Sequence, residues 1–355
     1  MARILLGLSF NAESVKAVAI DINSGNMIGR AVDEYEVGVI RKKLPTGERI
    51  PPGFMLADPR SWLVSMSSAV EKLLDETGIP SSEILSVGVS MGSCVVLPTD
   101  ASGVPLCLKD EFKNNPHSWP KLWNHKSSFK QAKKMTKIAR DRGEPFLEHT
   151  GNRVSTEWLW PKLLEVIEES PEVADAMEWY IEGSDWIVWQ LTGKQVRNQC
   201  SAGFKACYVE GFGYPSGSYF EAVSFDLARQ AAKIKDIPII KPGRYVGNLL
   251  PEAAQKLGLM PGTPVGAGVA SNHVGVAGAG IYSPDTLTIV FGDSTAQMLM
   301  SVDEKIFEGY SCAVKDGIID GFWGYEAGQP GTGKLSHGLL IYLHHSLYER
   351  SMMMR

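Results

Sequence analysis

Between residues 266 and 280 the sequence reads GAGVASNHVGVAGAG: an apolar strand, a turn, and a helix of small residues. Glycine and alanine let backbones come close, so this segment is suited to bringing a ligand against Ser271, Asn272 and His273. No carboxylate stands in the turn. Ser271 also suits a helix N-cap, a role that carries no chemistry.

Two other patterns invite chemistry and fail on inspection. GQPGTGKL (328–335) nearly spells a phosphate-binding loop, but Leu335 stands where Ser or Thr must reach Mg²⁺. His344 and His345 are adjacent, hence on different helix faces, and lack a nearby acid, so no metal site is expected there. The cysteines (Cys94, Cys107, Cys200, Cys207, Cys312) are odd in number and form no CxxC pair, which encodes neither zinc nor a disulfide framework. A reducing cytoplasm fits that usage.

The elements that must position these residues are legible in outline. Residues 3–10, 14–22 and 27–37 read as three strands separated by the turn signals NAE and NSGN, and 59–77 as a helix. The next strand, ILSVGVSM (84–91), is apolar on both faces and so central in its sheet. A β-β-β-α opening departs from strict strand and helix alternation and suits an α/β fold of the actin-like ATPase kind. From 116 to 235 the chain reads as mainly helical, with Trp-rich STEWLWPKLLEVIEES (155–170) and SDWIVWQLTG (184–193), the second ending on a C-cap glycine. The basic run KQAKKMTKIARDR (130–142) spreads its charge over several helix faces and reads as a solvated surface. A Pro- and Gly-punctuated passage at 242–265 suggests a boundary, with domains at 1–250 and 251–355. After it come strand, turn and helix at 264–281, a hairpin at 286–301 and strands around 310–326. The last segment, LIYLHHSLYERSMMMR, reads as an amphipathic helix.

At 355 residues, 44% hydrophobic and 21% charged, the chain has the length for two globular domains, and a net charge of −5 argues against a nucleic-acid or membrane-surface role. The start, MARILLGLSF, is interrupted too soon for a signal peptide, and no apolar run is long enough to span a bilayer.

With the β-β-β-α opening, the VGV strand, STEW, DWIVWQLTG, CSAGFKA and KDGIIDGFWGYEAGQ in view, the sequence resembles the FGGY carbohydrate kinases, and within them the ribulokinases, from about residue 4 to about residue 335. The resemblance implies two RNase-H-like domains hinged around a cleft, a ketose sugar mainly in the first and ATP with Mg²⁺ mainly in the second. The implied reaction is phosphoryl transfer to a primary hydroxyl of a pentulose such as ribulose. That chemistry needs positioning, a metal on the phosphates and a carboxylate to accept the hydroxyl proton.

Carried over position by position, the resemblance puts Ser9 where the family has an Asp beside the phosphates and metal, and Asn11 where it has a Gly. Ser90 also replaces an acid. Ser93 falls at a sugar contact. Ser271 occupies the position of the family's general base, and His273 matches a His found in ribulokinases. In GDSTAQ (292–297), Gly292, Ser294 and Thr295 match a phosphate-holding loop, whereas Asp293 sets a negative charge against it. Lys205 and Glu326 match sugar-holding residues, and Trp158 and Asp185 the wall of that pocket. A Lys and a Glu among apolar neighbours are costly to bury unpaired, so each should have a partner or a ligand.

Family members run on past residue 355, so the resemblance also implies a complete first domain and a partial second one. The short second part would leave surfaces for a second copy or a completing chain to cover. Three readings stand: a ribulokinase-like kinase with impaired transfer, a catalytically inactive sugar-binding or regulatory protein, and a gene fragment without function.

Overall fold

The computed structural model describes residues 3–292, 294–329 and 331; Asp293, the TGKL stretch, His344, His345 and the terminal segment lie outside them. The chain opens with β1 (Ile4–Phe10), β2 (Ser14–Asp21), β3 (Met27–Glu34), α1 (Pro59–Thr77) and β4 (Ile84–Met91). Alternation in β1 buries Ile4, Leu6, Leu8 and Phe10 on one face. Helix α1 starts where Asp58 accepts from the Arg60 N–H and Pro59 takes the first helical position, and it stops at Gly78 in the left-handed region. Its stripe of Trp62, Met66, Ala69, Val70 and Leu73 packs on the same core as β1.

A largely helical region follows: β5 (Val96–Thr99), α2 (Phe129–Arg142), α3 (Leu159–Glu169), α4 (Pro171–Ala176), β6 (Trp179–Glu182), α5 (Gly183–Thr192), β7 (Arg197–Asn198), α6 (Gln199–Ala206), α7 (Gly217–Val223) and α8 (Phe225–Lys235). The basic run forms α2. It buries Gln131, Ala132, Met135 and Ala139 and leaves Lys133, Lys134, Lys137 and Arg140 in solvent. Gly193 ends α5 in the left-handed conformation, as the sequence pattern indicates.

Next come β8 (Ile239–Ile240), β9 (Tyr245–Asn248), α9 (Pro251–Leu257), β10 (Pro264–Gly266), β11 (Val269–Ala270) and α10 (Ser271–Gly278). Last are β12 (Thr288–Phe291), β13 (Thr295–Ser301), β14 (Cys312–Lys315) and β15 (Trp323–Gln329). The first sheet runs β3-β2-β1-β4-β10-β9, with β11 also paired to β4. Strands β1, β2 and β3 are antiparallel to one another, and β4 runs parallel to β1. Residues beyond 250 therefore complete this sheet, because β10 and β11 both lie parallel to β4.

The second sheet, β12-β13-β15-β14, is antiparallel throughout. Met298, Met300, Cys312 and Val314 point from it into the core that also holds Trp158, Trp160, Leu163 and Phe204 of the helical region. One apolar core thus fastens the second sheet to the helices. The five cysteines are free and buried.

Candidate functional site

Where the two sheets and the helical layer meet there is a cavity of about 530 Å³. Its walls come from far-apart segments: the β1–β2 turn (Asn11), the end of β4 (Ser93), the start of α3 (Trp158), α6 (Lys205), the start of α10 (Ser271) and β15 (Glu326). The β12–β13 turn closes another side with Gly292, Ser294 and Thr295. The β1–β2 turn follows from local chemistry. Asn11 Oδ1 accepts from the N–H groups of Glu13 (2.9 Å) and Ser14 (2.8 Å), which bends the chain from β1 into β2.

Lys205 and Glu326 are both buried and face one another: Lys205 Nζ donates to Glu326 Oε2 at 2.5 Å. Burial alone would push both toward their neutral forms. The opposite charge prevails, holding the carboxyl well below the usual carboxylate range and the ammonium above its ordinary value. His273 stands behind the pair, 1% exposed, with its ring 4.2 Å from that of Phe204 and Nε2 3.6 Å from Glu326 Oε2. Burial disfavours its charged form, but Cys200 and Glu326 beside it raise its pKa to about 9. The Lys205 ammonium and the His273 ring thus flank one carboxylate oxygen.

Among the described lining residues two buried hydroxyls have no partner. Ser271 Oγ and Thr295 Oγ1 are buried without a hydrogen bond, although both residues border the cavity. Arg153 also borders it, with Ser155, Glu157 and Trp158 in the lining and Val154 in the core.

The FGGY family of carbohydrate kinases, N-terminal domain, matches residues 4–278. The chain belongs to the FGGY family of carbohydrate kinases. It is similar to the ribulokinase of Geobacillus thermodenitrificans, 37% identical over 93% of this chain and 59% of that protein, and to the ribulokinase of Mycolicibacterium smegmatis, 33% identical over 93% and 59%. The chain spans about three fifths of the length of these curated relatives. Among solved structures it resembles xylulose kinase from Rhodospirillum rubrum, with TM-score 0.72 and 21% identity over 94% of this chain and 62% of that one. Plasmodium falciparum glycerol kinase with ADP gives TM-score 0.71 and 14% identity over 96% and 64%. The fold is the actin-like ATPase fold of FGGY sugar kinases.

For an FGGY chain, the placement of the sequence-expected residues divides sharply. Asn11, Ser93, Trp158, Lys205, Ser271, Gly292, Ser294, Thr295 and Glu326 line one cavity. Ser9 does not: it sits near the end of β1, in register with Ser90 of β4. Asp185 is also elsewhere, 0% exposed at the start of α5, where Oδ1 accepts from the Asn198 side chain (2.7 Å) and N–H (3.1 Å). The expectation that it walls the pocket is therefore corrected. It belongs to a polar cluster with Glu182 and Arg197, whose guanidinium reaches Glu182 and the Tyr180 carbonyl.

Ser271 is not the N-cap. Because β11 runs straight into α10, its last residue, Ala270, takes the extended cap conformation (φ −71°, ψ 134°) and Ser271 becomes the first helical residue. His273 is not in the lining either, so it reaches the cavity only through Glu326.

Kinases of this family use ATP and a metal ion. The described donors do not fit a resident Mg²⁺. Of the two carboxylates among the described lining residues, Glu326 is paired with Lys205 and Glu157 lies 3.6 Å from Lys126 Nζ. Among the described residues no group of three His, Cys, Asp or Glu could hold a metal ion. No described helix is long and apolar enough to cross a membrane.

Sequence reasoning missed Trp123, Arg153, Ser155 and Glu157. For Ser155 and Glu157 a signal existed, since both belong to STEW, the motif that also supplies Trp158.

Proposed function

We propose that this chain forms the sugar-binding part of a ribulokinase-like carbohydrate kinase, acting in the cytoplasm, with its phosphoryl transfer impaired. A pentulose such as ribulose sits between Ser93, Trp158, Lys205 and Glu326, where Trp158 offers an apolar face and the ion pair offers donors and an acceptor to sugar hydroxyls. The pairing of β10 and β11 with β4 supports placing the boundary between the two domains after α10 rather than at residue 250. ATP would approach from the β12–β13 turn, with Gly292, Ser294 and Thr295 toward its phosphates.

The observation that carries this reading is the Lys205–Glu326 pair, built into a cavity whose base position holds an unpartnered serine. Ser271 Oγ stands at the mouth of a helix and beside the sugar wall, where a carboxylate would accept the hydroxyl proton and a serine does not. The same observation favours a second reading, a catalytically inactive sugar-binding or regulatory protein. Buried free thiols at all five cysteines support a reducing compartment.

ADP release from MgATP, followed with and without ribulose, tests the impairment. No sugar-dependent release is expected from the wild-type chain. Release at the several-per-second rates of a working kinase would overturn the reading.

A further inference from the structure

Helix α3 begins directly after Trp158 of the cavity wall and buries Lys162 completely. The Lys162 ammonium donates to two main-chain carbonyls, Cys94 O at 2.7 Å and Leu122 O at 2.8 Å. Burial lowers its pKa to about 8. An ammonium held in the core by carbonyl oxygens is costly, and so asks for a reason.

The positions of those carbonyls supply one. Cys94 follows Ser93 and Leu122 precedes Trp123, and both Ser93 and Trp123 line the cavity. Trp158, the N-cap residue of α3 and one turn before Lys162, lines it too, and its carbonyl accepts the Lys162 main-chain N–H at 3.5 Å. Cys94 has φ 62°, a left-handed conformation that residues with a side chain adopt rarely and that persists only where the surroundings enforce it.

We infer that Lys162 is a positioning residue for the sugar: by tying the Cys94 and Leu122 carbonyls to α3 it holds Ser93, Trp123 and Trp158 together as one wall. The inference rests on the reading of the cavity as a pentulose site and adds a residue that never touches the ligand. Lys162 enforces the left-handed turn at Cys94, and that turn aims Ser93 into the cavity.

The test is a double-mutant cycle read by calorimetric titration of L-ribulose and D-ribulose. Lys162→Met is expected to weaken binding of the preferred isomer about tenfold or more. In the Cys94→Gly background the same substitution should cost much less, because glycine takes the left-handed conformation unaided. A lysine that only stabilises the core would show no such rescue of affinity. Lys162→Gln, an amide on a shorter stem, replaces the methionine variant if that one fails to fold, with the same expectations. Unchanged affinity, or an equal loss in both backgrounds, overturns the inference while leaving the sugar site intact. Absence of binding by the wild-type chain overturns the sugar reading and the inference with it.

Discussion

Lys205 of α6 and Glu326 of β15, 121 residues apart in the chain, meet with Nζ and Oε2 at 2.5 Å. The pair is both a joint and a wall. It fastens the helical layer to the second sheet and faces the cavity between them. Loss of either partner should therefore be felt in folding as well as in binding.

Removal of the lysine alone leaves a buried carboxylate with only His273 beside it. Lys205→Met should destabilise the chain by about 3–5 kcal/mol, and the double variant with Glu326→Met should recover much of that loss. Urea denaturation of both variants measures it. A single-variant cost below about 1 kcal/mol would show that the pair is solvated and that the wall is open.

Asp185 gives the chain a pH dependence of unusual sign. Burial and then the neighbouring Glu182 charge raise its carboxyl to about 7, against the pull of Arg197. The folded state thus keeps a proton that the unfolded state releases from about pH 4 upward. Stability from this group falls as pH rises from about 4 to 7 and is flat above. Asp185→Asn keeps the oxygen that accepts from Asn198 and abolishes the titration. It should add on the order of 2–4 kcal/mol at pH 8 and little at pH 4. Unfolding midpoints measured across that range check it, and an unaltered pH slope would contradict it.

Gly151 marks where the loop after α2 meets the second sheet's approach. Its φ is 59°, and a Cβ built there would lie 2.5 Å from the Tyr310 carbonyl oxygen, a main-chain atom that cannot swing aside. Gly151→Ala should cost about 1–3 kcal/mol through both effects. A denaturation midpoint matching wild type would mean that the loop moves freely from residue 310.

Much of this fold is legible in the sequence because local chemistry and tertiary demand agree. Asp58-Pro59 and Gly78 bracket α1, Gly193 ends α5, and the alternation in β1 points its apolar residues inward. The site is legible where a motif residue also faces the cavity, as at Ser93, Lys205 and Glu326. It is not legible where direction decides. His273 lies two positions from Ser271 yet turns into the core against Phe204, because successive residues on a helix point about 100° apart. Asp185 shares a motif with Trp186, yet its carboxylate caps the Asn198 turn instead. Lys162 reads as an ordinary charge in WPKLL until its two carbonyl partners are seen.

The most direct check on the sugar site is a thermal-shift titration of the purified chain with L-ribulose, D-ribulose and D-xylulose, each with and without MgATP, since a ligand of the native state raises the melting temperature. A rise with one pentulose, unaltered by MgATP, is the expected result. No rise with any pentulose, from a chain that melts cooperatively, would contradict the Ser93, Trp158, Lys205 and Glu326 cavity as a sugar site.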